Sequence, residues 1–350
     1  METIQITPVS HSRASEVDIN HITMGTCFTD YMLVCDYYDG AWHNPRIEPL
    51  GPIATHPSAM ALHYGQAIFE GLKATMGKDG IPVLFRPMEN AIRLNHSADR
   101  MGMPAFPEDL FVEALRQFVA LERNWVPTSE GSSLYLRPFM YADEAFTGMR
   151  AATHYKFVIF ATPAGPYFSR RIRLYAETEY IRAAQGGTGA AKAAGNYAAA
   201  IRPTELAKKR GYDQVLWMDA RNFDHILEVG TMNIFFKING KFITPALDGT
   251  VLAGVTRSSV IGVLQHMGFE VEERPVSMQE ILDASTRGTL EEAFGTGTAV
   301  GIALIDEIGY REHQIMLPQG NPVGERVNRF LNDLKTQKQA DPFGWVMPVA

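Results

Sequence analysis

Cysteine is scarce in this 350-residue chain: Cys27 and Cys35 are the whole complement, with no CxxC pair and no spacing suited to zinc. That points to a reducing compartment, each thiol serving as a small buried apolar side chain. Long apolar runs are missing too. The best, Thr296 to Ile305, falls well short of the ~18 residues of a membrane span. Positive charge is in deficit, with 32 Lys and Arg against 39 Asp and Glu, a net −7 and a pI near 5.8. Such a balance gives no support to a nucleic-acid partner. The N-terminus lacks a basic region followed by an apolar stretch, which excludes a secretory signal. Glu2, Glu16 and Asp18 speak against a mitochondrial transit peptide. Internal repeats and low-complexity tracts are absent. A cytoplasmic protein is expected.

What is present reads as a globular enzyme-sized chain. Hydrophobic residues make up 46% and charged residues 20%, more apolar than a disordered chain. At ~100–200 residues per domain, two or three domains are expected. Tyr31 to Tyr38 is rich in β-formers and runs into the turn pair Asp39-Gly40. Ser58 to Lys73 reads as a helix, whole or broken near Gly65. Helices are also predicted from near Glu89, from Glu108 to Arg123, and from near Thr256, Ser277 and Pro322. Leu134 to Tyr141, Phe157 to Thr162, Ile172 to Ala176, Val215 to Met218 and Asn233 to Lys237 read as strands, with Asn239-Gly240 the strongest hairpin signal. The mixed stretch Pro163 to Arg171 marks a domain boundary. The expected division is a domain over 1–164, a connecting loop over 165–176 and a second domain over 177–350.

Four segments carry candidate chemistry. In Gly186 to Tyr197, GGTGAAKAAGNY, Lys192 stands among Gly and Ala, which let a flat ligand approach and leave the amine poorly hydrated. Desolvation lowers a lysine's pKa, and a neutral amine is what attacks a carbonyl. The bland alternative is a surface lysine in a linker. Ala191 and Ala193 break a Walker pattern, and Lys192 itself breaks a dinucleotide fingerprint begun at Gly187. In EVGTMNIFF, Glu228 is either a strand-end acid in water or a buried carboxylate that keeps a heterocyclic nitrogen protonated, a bond contributing ~1.5–3 kcal/mol. In LAGVTR and FGTGTAV a glycine precedes a threonine, which suits a phosphate nest or, more plainly, N-capping by Thr256 and a glycine turn. Taken together, a reactive lysine, a carboxylate for a ring nitrogen and two phosphate nests describe pyridoxal 5'-phosphate.

At this point the strings HYGQAIFEGLKA (63–74), Phe85-Arg86-Pro87 followed by Arg93, SLYLRP (133–138), GTGAAKAAGNY, EVGTMN and GVTR show a likeness over nearly the whole length. The chain closely resembles a branched-chain amino acid aminotransferase of the pyridoxal-phosphate fold type IV group. The resemblance implies an α+β chain with a smaller N-terminal α/β domain, a larger C-terminal pseudo-barrel domain and the cofactor between them. It implies that Lys192 forms the internal aldimine and shuttles the proton, that Glu228 faces the pyridine nitrogen and that Tyr197 bonds the phenolic oxygen. Arg93, Gly254, Val255, Thr256, Gly297 and Thr298 would hold the phosphate, with Leu252 and Thr231 against the cofactor. Phe28, Phe69, Tyr135, Arg137, Tyr167, Thr231, Thr298 and Ala299 would line or border the substrate pocket. Tyr64 and Met149 would reach in from the partner of a homodimer. Val300 and Ala303 stand where some animal relatives carry a redox CxxC, so no thiol switch is expected.

The implied reaction is reversible transamination between branched-chain L-amino acids and 2-oxoglutarate, with Tyr64, Tyr135 and Arg137 as the polar edge that receives glutamate's γ-carboxylate. Two other readings stand beside it. One is a different fold type IV enzyme, a D-amino acid aminotransferase or aminodeoxychorismate lyase; the other is a non-catalytic phosphate-binding module.

Overall fold

The computed structural model describes residues 3–165, 170–320 and 322–349, which form two compact units. The first takes in the described residues up to Gly165 together with Ala191–Ala194 and the chain from Asn332 onward. Its strands are β1 (Gln5–Ile6), β2 (Tyr31–Tyr38), β3 (Ala41–Pro49), β4 (Ala67–Phe69), β5 (Leu72–Met76), β6 (Pro82–Phe85), β7 (Ser133–Ala142) and β8 (Tyr155–Ala164). They form one sheet in the order β1-β3-β2-β8-β7-β5-β6, closed at its edge by Val346–Pro348, with β4 paired to β7. Asp39 and Gly40 both take positive φ, 49° and 78°, which the tight β2–β3 hairpin requires.

Helices α2 (Pro87–Arg100) and α3 (Glu108–Leu121) cover one face of this sheet. Leu110, Phe111, Ala114, Leu115, Phe118 and Val119 form the buried stripe of α3, and pack with Phe106, Phe157 and Leu33. Pro107 precedes α3, and the short 3₁₀ turn Arg123–Trp125 follows it. Between Ser58 and Lys73 the structure departs from a single helix. Only α1 (Met60–Tyr64) is helical; Gly65 then ends it in the left-handed conformation, φ 65°, and β4 and β5 follow. The glycine is a helix terminator here, and the apolar residues beyond it alternate sides of a sheet.

The second unit takes in the described residues from Arg170 to Ala190 and from Gly195 to Leu331. Its strands are β9 (Ile172–Ala176), β10 (Gln214–Met218), β11 (Ile226–Val229), β12 (Asn233–Ile238), β13 (Lys241–Thr244), β14 (Val271–Glu273), β15 (Leu290–Gly297), β16 (Gly301–Tyr310) and β17 (His313–Met316). The path runs β11-β10-β9-β16-β15-β12-β13-β14, with β17 on β16. A further bridge, Val229 to Met232, brings β11 back to β12, so the sheet curls on itself. The helices are α4 (Ala194–Lys209), α5 (Val255–His266), α6 (Met278–Thr286) and α7 (Val323–Lys335). Asn239 and Gly240 turn β12 into β13 with φ 49° and 79°.

The division differs from the expected 1–164, 165–176 and 177–350 in three places. Ile172–Ala176 is a strand of the second sheet rather than loop, Ala191–Ala194 joins the first unit, and so does the C-terminal stretch, whose last strand pairs with β6. The unit that carries the N-terminus is therefore the larger. No helix among the described residues is long and apolar enough to cross a membrane.

Candidate active site

In the first unit, Lys192 is fixed by its own backbone. Its N–H donates to Ser97 Oγ at 2.9 Å, its carbonyl accepts the Phe69 N–H at 3.1 Å, and Ala193 bridges to Ile68. Ala191 and Ala193 are each 2% exposed, so the small residues that flank the lysine are packed. The amine lies 4.8 Å from the centre of the Phe69 ring. Burial, then the positive charge of Arg93, pushes it down to about 8, while Glu70 and Tyr135 pull the other way. A linker lysine in water has none of these constraints.

Beside it, Arg93 on α2 is buried and forked onto Glu70, with Nε to Oε1 at 2.9 Å and Nη2 to Oε2 at 2.7 Å. Arg137 on β7 stacks over Phe69 at 4.6 Å and donates to the Tyr135 hydroxyl at 3.1 Å. Among the described residues no carboxylate pairs with Arg137, and its buried Nε has no acceptor. Phe28 meets Phe160 edge to face. Tyr64 donates to the Thr147 carbonyl at 2.6 Å, and Met149 is 86% exposed. Tyr167 lies outside the described residues.

In the second unit, Glu228 sits within β11, only 2% exposed, so it is no strand-end acid in water. Its Oε1 accepts from Asn233 Nδ2 at 3.0 Å and the Leu252 N–H at 3.1 Å, and Arg182 Nη2 is 2.8 Å from Oε2. Arg182 also donates to the carbonyls of Gly189 and Thr250. α5 starts at Val255 with Gly254 as its cap and no side-chain capping bond. Thr256 is thus not the cap but stands inside the first turn, where N–H groups seek an anion. Gly297, Thr298 and Ala299 lie at the turn from β15 to β16, opposite Gly301. Thr231 is at the turn between β11 and β12, and Tyr197 in the first turn of α4.

The model of the class IV aminotransferases matches residues 67–308. The chain belongs to that family. It is similar to a branched-chain-amino-acid aminotransferase of Bacillus subtilis, 42% identical over all of this chain and 98% of the relative. A probable branched-chain-amino-acid aminotransferase of Staphylococcus aureus is 46% identical over 94% of this chain and 93% of its own length. Among solved structures, a branched-chain aminotransferase of Thermoproteus uzoniensis, described with norvaline, superposes with a TM-score of 0.76 at 25% identity, covering 91% of this chain and all of that one. The fold is the α+β type IV fold of these aminotransferases.

Reading the sequence for chemistry passes over four residues of this class IV aminotransferase: Glu70, Ser97, Arg182 and Asn233. Each acts on a residue that the motifs do show. Glu70 stood inside a quoted string, and an acid between two apolar strand segments was the available signal. Asn233 stood in the same quoted string as its partner Glu228, whereas Arg182 has no such signal, because its partner is brought to it only by the fold.

Proposed function

We propose that the chain is a branched-chain amino acid aminotransferase, which moves the amino group of Leu, Ile or Val to 2-oxoglutarate with pyridoxal 5'-phosphate as cofactor. The observation that carries the reading is the setting of Lys192. Burial holds its amine down at about 8, beside aromatic rings and a cation, Arg137, with which no carboxylate pairs among the described residues.

The residues present fit the cofactor. Glu228 is a buried carboxylate whose Oε1 accepts from Asn233 and the Leu252 N–H and whose Oε2 lies 2.8 Å from Arg182 Nη2, a setting suited to a protonated ring nitrogen. The uncapped first turn of α5, with Val255 and Thr256, suits a phosphate, as does the guanidinium of Arg93, with Thr298 as a further hydroxyl. Lys192 would hold the aldehyde, Tyr197 the phenolic oxygen, and Leu252 and Thr231 would flank the ring. When bound, pyridoxal phosphate supplies the electron sink that makes the substrate's α-proton acidic. The Lys192 amine would take that proton from the α-carbon and later return it, for which an amine held well below its ordinary pKa is suited.

Dual specificity follows from the wall. Phe28, Phe69 and Tyr135 would offer apolar contact, worth ~1.5–3 kcal/mol for a leucine or isoleucine side chain. A γ-carboxylate placed there would cost several kcal/mol unless it met Arg137 and the hydroxyl of Tyr135 or Tyr64. The apolar groove on the other face of the first sheet, about 570 Å³ and lined by Met32, Leu50, Ile53, Leu62, Phe139 and Phe160, supports a homodimer. So does the exposure of Leu62 and Met149. Free thiols at Cys27 and Cys35 agree with a cytoplasmic location.

The test is a panel of L-leucine, D-alanine and aminodeoxychorismate assayed with the purified, cofactor-loaded chain and 2-oxoglutarate, together with Lys192→Ala. L-leucine turnover, lost in Lys192→Ala, is expected. Turnover confined to D-alanine or to aminodeoxychorismate, or an unaffected Lys192→Ala, overturns the reading.

A further inference from the structure

Glu70 is the most completely enclosed carboxylate near Lys192, with none of its surface exposed. It follows β4, and its own N–H donates to the Pro138 carbonyl at 2.7 Å, so its backbone is tied to β7. Its two oxygens accept the Nε and Nη2 of Arg93, the amide of Asn90 at 2.8 Å and the Gly71 N–H at 3.2 Å. The fork of two parallel bonds fixes the plane of the Arg93 guanidinium as well as its place.

A buried ion pair of this kind gives a fold little that a well-packed apolar pair would not. Its position supplies another role. Arg93 and Ser97 stand one turn apart on α2; Ser97 donates to the Arg93 carbonyl and accepts the N–H of Lys192. The helix turn that carries the cation therefore also carries the lysine. Among the described residues, the groups whose charge acts most on the amine are Arg93 from α2, Glu70 from the end of β4, and Tyr135 and Arg137 from β7. Two of these are fixed cations, and both disfavour an ammonium. Glu70 is the one carboxylate in that set.

We propose that Glu70 is a positioning residue that acts through Arg93: it holds the guanidinium in one orientation and offsets its charge, and so sets the basicity of the Lys192 amine. Removing the charge of Glu70 while keeping its shape leaves Arg93, like Arg137, without a carboxylate beside the amine, which then loses its proton at lower pH. Keeping the charge while shortening the side chain leaves the amine close to its native value. Removing the cation of Arg93 moves the amine the other way.

The inference rests on Lys192 being the lysine that reacts with the cofactor's aldehyde, and the test separates the two. The full-length chain, freed of cofactor, is exposed to pyridoxal, which lacks the phosphate that Arg93 would bind. Cyanoborohydride traps the adduct, and peptide mass spectrometry follows its formation at Lys192 from pH 6 to 10. In Glu70→Gln the midpoint of the rate profile is expected to fall by about one pH unit. In Glu70→Asp it stays within a few tenths of the native value, and in Arg93→Gln it rises. Thermal melts identify any variant that fails to fold, and the remaining ones decide. An unmoved or raised midpoint in Glu70→Gln, a Glu70→Asp profile shifted as far as that of Glu70→Gln, or an unmoved Arg93→Gln overturns the proposal. No reaction at Lys192 in the native chain at any pH overturns the functional reading instead.

Discussion

Gly71 and Tyr135 are in such close approach that a Cβ on the glycine would fall on the tyrosine hydroxyl. That hydroxyl accepts a hydrogen bond from Arg137, so the missing side chain at 71 is what lets the pair form. Gly71→Ala is expected to push the Tyr135 ring aside, at a cost of about 1–3 kcal/mol in stability. Turnover with glutamate should fall more than with leucine, because the carboxylate partner moves and the apolar wall largely stays. Tyr135→Phe should show the same bias without the loss of stability. Equal losses for both substrates in both variants would show that the hydroxyl plays no part in receiving the γ-carboxylate.

The parts of this molecule that were legible in the sequence are those set by local chemistry. Asp39-Gly40 and Asn239-Gly240 turn where only residues tolerant of positive φ fit, and the apolar stripe of α3 follows helical spacing. Lys192, Arg93 and Glu228 stood out as candidates because motif strings surround them. Between Ser58 and Lys73 the break at Gly65 was legible, but the helix expected beyond it is strand, because residues with helical spacing also alternate across a strand. The return of the C-terminus to pair with β6, and the bonds from Glu70 to Arg93 and from Arg182 to Glu228, join residues far apart in the chain. No spacing encodes them.

Gly254 repeats the lesson of Gly71 at Glu228. A Cβ there would fall on Asn233 Oδ1, and the Asn233 amide donates to both Glu228 Oε1 and the Leu252 carbonyl. Gly254→Ala is expected to displace that amide and leave Glu228 Oε1 with the Leu252 N–H but without Asn233. A hydrogen bond to a charged group contributes ~1.5–3 kcal/mol, so retention of the cofactor should weaken by about tenfold or more. The measurement is the rate of cofactor loss after dilution, with Asn233→Ala as the matching variant. If Gly254→Ala holds the cofactor as the native chain does, Asn233 is not needed to orient Glu228.

Glu122 gives a pH dependence with a definite sign. It directly follows α3, with no surface exposed, and its Oε1 accepts the Tyr31 N–H at 2.7 Å. Burial raises its pKa from 4.5 to about 7; the bond from Tyr31 opposes the rise and the nearby charge of Asp30 adds to it. The folded chain thus binds a proton at Glu122 that the unfolded chain releases near pH 4.5. Stability from this group is complete below that pH, declines as the pH rises towards 7, and is constant above it. The change amounts to roughly 3 kcal/mol. Glu122→Gln keeps the neutral form at every pH. Urea midpoints measured from pH 5 to pH 8 should therefore show the variant gaining on the native chain as the pH rises, and levelling off above pH 7. A constant difference between the two across that range would mean that Glu122 keeps the same charge folded and unfolded.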